Sequence, residues 1–279
     1  MVTQIIHGYW AQGRGNGPEV VERCWAAWER LNPGWRVQVL DQADADRIFD
    51  RLGLGARPDG VQSQSDIVRL YQIVAEGGVY VDAATVPVLP LDGWLPEVAE
   101  TGFFAFHDPY RRRMVENWFL YADPGNAVAQ GWLDAVGRHW AQPRRPMIQR
   151  RECEPGWRGA VARWQGARHK GTAKEVIEPR NRLASVDPAR GGRFGVHPYF
   201  GHHYLFDLML EQEPEIAAAW ARMPKLTSYK DLMLRHWKRH YDRLTPDLVD
   251  SIVAGSRMQK LALKTLPDAA VLDRILPRT

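Results

Sequence analysis

Cysteine is scarce in this chain. Two occur in 279 residues, Cys24 and Cys153, and their separation matches no metal-ligating or redox spacing. Cys24 falls beside Trp25 and Trp28 on a predicted helix and reads as a core residue. A disulfide is not expected in a reducing compartment. No apolar run approaches the length of a membrane-spanning helix. The opening Met1-Val2-Thr3-Gln4 does not have the form of a signal peptide, so the expectation is a soluble, cytoplasmic protein. Internal repeats and low-complexity tracts are absent. The glycine-rich stretch Gly13-Arg14-Gly15-Asn16-Gly17-Pro18 lacks the spacing of a dinucleotide fingerprint and precedes a helix that starts with proline. It reads as a mobile flap or a plain connector.

What is present is ordinary in bulk and uneven in distribution. An apolar fraction of 45% and a charged fraction of 25% suit a globular core. The length suits one sizeable domain, or one domain with an appendage. Tryptophan is abundant, at 12 residues. Stacking platforms for bases or sugar rings are one use, and core packing is the expected role of most. The net charge of +4 hides a segregation: residues 1–140 carry about −6, 141–195 about +8, 196–221 about −4 and 222–279 about +6. The first half is therefore acidic. With no recognition motif, this argues against a nucleic-acid partner.

Element by element, strands are predicted at 4–10, at Arg36–Leu40, and at Val79–Val81. Helices are predicted at Glu19–Leu31, where Val20, Cys24, Ala27 and Leu31 recur at helical spacing, at Ala43–Asp50, and at Ser65–Ala75. That alternation predicts a parallel sheet in an α/β fold. Phe103–His107 and Trp118–Tyr121 read as further strands, and Ala127–Trp140 and Tyr204–Glu211 as helices. Residues 141–198 read mostly as loops with short helices. From Tyr229 onward only helical patterns occur, broken at Pro246 and Pro267.

The stretch from Ser65 to Val86 carries the most chemistry. Ser65 is a candidate N-cap with Asp66 in the positive first turn. Arg69 lies three residues on, sharing a helix face with Asp66. Gly77-Gly78 supplies a left-handed stop. The strand Val79-Tyr80-Val81 then delivers Asp82 to its carboxyl end, where ligands collect in open α/β sheets. An ionised carboxylate there can hold a divalent cation. It can also simply cap a neighbouring helix, and Asp66 with Arg69 can be no more than an intrahelical ion pair.

This stretch resembles the sugar-nucleotide site of bacterial glycosyltransferases of the GT-A fold, and among them the capsular polysaccharide synthesis protein family, a relative of the DXD-containing sugar-binding transferases. Four other stretches are similar in the same order: Thr3–Trp10, Leu31–Val37, Asn117–Ala122 with Pro124-Gly125-Asn126, and Tyr199–Asp207. The resemblance spans most of residues 3–228. Related transferases often carry Asp-X-Asp at the strand end. This chain reads Asp82-Ala83-Ala84-Thr85, with alanine in place of the second carboxylate.

The resemblance implies roles. Asp66 would accept bonds from sugar hydroxyls and Arg69 would offer its planar fork to sugar or phosphate oxygens. Asp82 would be the catalytic carboxylate and a metal ligand, with His203 as the imidazole ligand and His202 as the fallback. The packing alternative for either histidine stays open. An imidazole favours Mn²⁺ over Mg²⁺. Trp10 would stack on the base, with His7 on the same strand lining the pocket or packing in the core. Asn117 would bond donor or acceptor hydroxyls or hold the strand end.

The expected architecture is a Rossmann-like GT-A domain over 1–228, with a basic, loop-rich insertion at 141–195 and a helical, basic extension over 229–279. The expected activity is retaining sugar transfer from a nucleotide-sugar donor to a glycan or lipid-linked glycan of a bacterial surface. A catalytically silent sugar-nucleotide or glycan binder is the alternative. The basic segment 141–195 could receive an anionic acceptor. Asp231–Leu244, where Trp237 lies among Arg235, Lys238 and Arg239, could be an interfacial helix on an anionic membrane or a docked helix.

Overall fold

The computed structural model describes residues 3–54, 57–58, 60–107, 114–168 and 177–277. In chain order the elements begin β1 (Ile5–Tyr9), α1 (Glu19–Leu31), β2 (Arg36–Leu40), α2 (Gln42–Arg51), α3 (Val61–Ala75), β3 (Gly78–Val81) and β4 (Thr85–Pro87). They continue with α4 (Leu95–Val98), β5 (Phe103–Ala105), β6 (Phe119–Ala122), α5 (Ala127–Trp140), β7 (Arg145–Pro146), α6 (Gly156–Ala167) and α7 (Arg182–Val186). The remainder is β8 (Val196–His197), α8 (Gly201–Gln212), α9 (Pro214–Arg222), α10 (Trp237–His240), α11 (Pro246–Ala254), β9 (Met258–Lys260) and α12 (Ala269–Ile275).

The central sheet has the order β2-β1-β3-β6-β5. β1 pairs in parallel with β2 on one side and β3 on the other. The chain thus reverses its direction of travel across the sheet at β1, which opens a crevice beyond the carboxyl ends of β1 and β3. The expected parallel sheet holds for these three strands only. β6 runs antiparallel to β3, and β5 antiparallel to β6. A parallel neighbour needs a crossover of a dozen or more residues, usually helical, and no helix separates β5 from β6 among the described residues.

Alternation along β1 sets the layers, because successive side chains face opposite sides of a sheet. His7 points to α3, where Gln72 meets it at 3.3 Å. Gly8 faces α1: a Cβ there would lie 2.3 Å from the Trp25 ring, so only glycine lets that indole lie flat on the strand. Eight of the 12 tryptophans are buried, so the core reading holds for the majority.

The turn into β3 behaves as expected, with Gly77 and Gly78 at φ +70° and +94°. A Cβ on Gly78 would also meet the Ile5 carbonyl at 2.5 Å. The helix before it starts earlier than expected. α3 begins at Val61, so Ser65 is not an N-cap but lies one turn inside. The Gly13–Gly17 connector is held by hydrogen bonds of Gly13 N–H to the Trp10 carbonyl and Gly17 N–H to Glu22.

The described part of 141–195 is mostly loop with short helices, as expected: α6 has three turns and α7 five residues, and β7 pairs with β8; positions 169–176 lie outside the described residues. One further expectation is corrected. The region after Tyr229 is not purely helical. It contains β9, which pairs antiparallel with β4, and Leu261 N–H continues the pairing onto the Ala84 carbonyl at 2.7 Å. Met258-Gln259-Lys260-Leu261 is too short to show a period of two, so a tertiary partner decides its strand geometry.

Candidate active site at the carboxyl end of β3

Side chains from α3, β3, β6's approach and β9 converge on Asp82. Arg69 is the hub and is 5% exposed. Its Nε donates to the Ser65 carbonyl at 3.1 Å and its Nη2 to Ser65 Oγ at 2.9 Å. Its Nη1 donates to the Asn117 carbonyl. The same guanidinium lies 3.2 Å from Asp66 and 3.4 Å from Asp82, and 5.0 Å from the Tyr80 ring centre. The expected Asp66–Arg69 pairing across one helical turn is present. Three of its five N–H donors go to Ser65 and Asn117, and Nη2 also faces Asp66 and Asp82, so much of the fork is engaged within the protein. Arg69 therefore orients the two carboxylates.

Asp66 accepts from Asn117 Nδ2 at 2.9 Å. Burial pushes its carboxyl up to about 6; Arg69 opposes the shift and the neighbouring Asp82 adds to it. Asp82 sits just past β3, with its backbone N–H on the Trp118 carbonyl at 2.9 Å. Among the described residues it caps no helix; a carboxylate cap is seen instead at Asp41 after β2, which forms a capping box with Asp44. Asp82 Oδ2 accepts from Lys260 Nζ at 2.5 Å. Burial opposes its ionisation, but Lys260, then Arg69, and more weakly Arg235, outweigh burial and hold the carboxyl below its ordinary range.

The sequence does not single out Lys260, and it presents Ser65, Tyr80 and Arg235 as an N-cap, a strand residue and part of an interfacial helix, not as members of this cluster. Ser65 Oγ and Tyr80 OH share a hydrogen bond of 3.0 Å. Lys260 lies in register with Thr85 across β4 and β9 and 5.4 Å from the Trp118 ring centre. Nothing local marks it, since 178 residues separate it from Asp82.

Of the other sequence candidates, Trp10 follows β1 directly and is half-buried; its indole N–H has no hydrogen-bond partner. His7 is not at the site. It is fully buried, with Nε2 donating to the Gly77 carbonyl at 2.8 Å and Nδ1 accepting from Gln72. Burial lowers its pKa, keeping it neutral. His203 is buried on α8, edge-on to Phe200 and His202. His202 is held uncharged by burial and by the positive charge of Arg69.

The residues around Asp82 do not fit a divalent ion. One carboxylate oxygen is taken by an ammonium and the other faces a guanidinium. Position 84, where a second carboxylate would stand, is a buried alanine covered by the C-terminal strand. Among the described residues no three His, Cys, Asp or Glu side chains gather in a metal-binding group. A hard cation needs several oxygen ligands. Two clefts of about 260 and 210 Å³ lie elsewhere, one between β4 and α11–α12 and one between β2 and α2–α3.

The tail is docked. Trp237, in the four-residue α10, donates to the Thr265 carbonyl at 3.2 Å, and Leu232 and Leu234 are buried. Asp231–Leu244 forms no continuous helix, either interfacial or docked: the helical turns here are one ending at Leu232 and the four-residue α10.

Comparison with known proteins bears on this geometry. The family described as capsular polysaccharide synthesis protein matches residues 1–148, a stretch that holds Asp66, Arg69, Asp82 and Asn117 but ends before His203 and Lys260. The Saccharomyces cerevisiae protein named "Putative glycosyltransferase HOC1" is 24% identical over 143 residues, covering 43% of this chain and 36% of that protein. The chain thus aligns with about a third of that relative's length. A solved structure titled PaToxG Glycosyltransferase aligns over 92% of this chain and 88% of its own at 14% identity, with a TM-score of 0.39. That likeness is too low to carry an argument about the fold.

Proposed function

The chain belongs to the capsular polysaccharide synthesis protein family, and from that premise we propose that it is a glycosyltransferase. It moves a sugar, of the hexose type, from a nucleotide-sugar to a glycan or lipid-linked glycan of a bacterial surface. The observation that carries the reading is the Asp66–Arg69–Asp82–Asn117 cluster beyond the carboxyl ends of β1 and β3, where α/β sheets of this order bind nucleotides. The sheet supports a GT-A-type reading for the same reason.

In this reading Asp66 and Asn117 bond hydroxyls of the donor sugar, and Arg69 fixes the angle at which both carboxylates are presented. Trp10 offers its ring to the base. The bond between the anomeric carbon and the diphosphate oxygen breaks, and its electron pair leaves with the nucleoside diphosphate. The acceptor hydroxyl oxygen bonds to the same carbon on the face being vacated, which retains the configuration. Its proton passes to the departing diphosphate oxygen, so no protein base is needed. What the protein contributes is positioning and charge. The work takes place on the cytoplasmic side, where nucleotide-sugars are available.

A thermal-shift panel of nucleotide-sugars tests the donor, because a true donor stabilises the native state by mass action. Release of free nucleoside diphosphate on adding acceptor glycans tests transfer. A donor that binds and is never turned over points to the second reading, a silent sugar-nucleotide binder. Ala84 in place of a second carboxylate favours that reading.

A further inference from the structure

We propose that Lys260 supplies the positive charge for the donor diphosphate, so that the site works without a divalent cation. The inference rests on the glycosyltransferase reading and deepens it. It begins from charge. Asp66 and Asp82 carry two negative charges when ionised, and Arg69 and Lys260 answer them directly. Arg235 adds to the positive field at both Asp82 and Lys260. In direct contact two cations balance two carboxylates, and the field of Arg235 tips the cluster towards positive. A site built to hold a metal has the opposite sign, an excess of carboxylates.

The backbone supports the same assignment. β9 closes over Ala84 through the Leu261–Ala84 hydrogen bond and sets Lys260 in register with Thr85. The strand that covers the place of a second carboxylate thus brings the ammonium with it. Lys260 is half-buried against Trp118, and burial lowers its pKa while Asp82 holds it charged. Asp82 holds the ammonium in the empty site and gives it up to the diphosphate, which competes for the same charge. When the bond from sugar to diphosphate breaks, the electron pair that departs with the diphosphate oxygen is met by the ammonium, and the acceptor proton still ends on that oxygen.

The test uses the full chain and a panel of UDP, GDP, ADP, CDP and TDP, read by calorimetry in EDTA and then in excess Mn²⁺. The expected result is that one diphosphate binds in EDTA, that Lys260→Ala weakens it about ten- to a hundredfold, the loss of one charge-assisted contact, and that Lys260→Arg restores most of it. Asp82→Asn should keep or tighten diphosphate binding in EDTA, since it removes a competitor for the ammonium. This second variant also covers the case in which Lys260→Ala fails to fold. Binding that appears only with Mn²⁺ and is lost in Asp82→Asn overturns the inference and leaves the transferase reading standing. Binding of no diphosphate under either condition overturns both.

A separate observation points to a docking face. α6 exposes Trp157 (72%), Val161 and Trp164 (56%) at helical spacing, and Gly159, Ala162 and Gly166 form its buried side. The Arg158 and Arg168 guanidinium groups lie over the two indoles at 5.4 and 3.7 Å. The helix carries no acidic residue, and the segment around it holds about eight net positive charges. We infer that α6 lies on an anionic lipid surface, its indoles at headgroup depth and its arginines on lipid phosphates. Flotation with phosphatidylglycerol vesicles at low salt should retain the protein. Neutral phosphatidylcholine vesicles, added salt, or Trp157→Ser with Trp164→Ser should each release it. Failure to float on the anionic vesicles overturns the inference. So does unchanged flotation of the double variant, or a dimer that the double variant dissolves, which would mean that a second copy covers the face.

Discussion

Asn117 holds Asp66 and Arg69 at once: its side-chain amide donates to Asp66 Oδ1 at 2.9 Å, and its own carbonyl accepts from Arg69 Nη1. A single residue, two positions ahead of β6, therefore fixes the relative position of an acid and a base that sit one turn apart on α3. Asn117→Ala should lower kcat/KM by about tenfold, in line with one hydrogen bond to a charged group. The amide also favours the ionised form of Asp66. Its loss should move the acid limb of the pH–rate profile upward, a change that a merely looser fold would not produce.

The titration of Asp66 should appear in stability. Its folded pKa of about 6 lies above the ordinary carboxylate value. The folded state therefore binds this proton more tightly than the unfolded chain. The resulting stability is fully present below about pH 4 and is lost as pH rises through about 6. Buried His7, His139, His197 and His202 act in the opposite sense, because their pKa values are lowered. The readout is thus the difference between wild type and Asp66→Asn in urea unfolding at several pH values. Wild type should lose ground to the variant between pH 4 and 6, and a constant difference would contradict the assignment.

His7 should matter to the fold and not to the substrate. Its ring joins the β3 turn to α3 through Gly77 and Gln72. Replacing it with alanine leaves the Gly77 carbonyl unpartnered in the core, at a cost of about 1–3 kcal/mol. Denaturant midpoints should fall, with KM for the donor unchanged. A raised KM at unchanged stability would return His7 to the pocket.

The tail should not be separable. Leu261 is buried beside the site, and Leu234, Met258 and Leu276 are also buried. Arg23 on α1 pairs with Asp273 at 2.9 Å. Leu261→Ala should destabilise the whole protein by about 2–5 kcal/mol, the usual range for a buried leucine. Deletion from Tyr229 onward uncovers several such side chains, against a total stability of about 5–15 kcal/mol, and should abolish cooperative unfolding. A truncated chain that melts like the full one would show 229–279 to be an appendage.

Local chemistry made the first half of the site legible. Asp66 and Arg69 are three residues apart, and helical geometry alone makes them neighbours. Gly77-Gly78 admits a left-handed turn that other residues resist, and a β-branched, aromatic run must then deliver Asp82 to the strand end. Position within a motif was a weaker guide. His7 has the same place on β1 whether it lines a pocket or packs on α3, and only the direction of alternation decides between them.

The sequence by itself marked β1 to β3, the turn that ends α3, and the carboxylates beside them, because each shows in a local pattern of residue types and spacing. Tertiary structure alone decided what those carboxylates meet. Three of the five N–H donors of Arg69 go to Ser65 and Asn117, and Lys260 reaches Asp82 across 178 residues. β9 has too few residues to announce itself, and it becomes a strand because β4 offers an unpaired edge. Pairing between distant edges leaves no periodic trace in either segment. The charge on Asp82, held down by Lys260 and Arg69, therefore depends on contacts made only when the chain closes on itself.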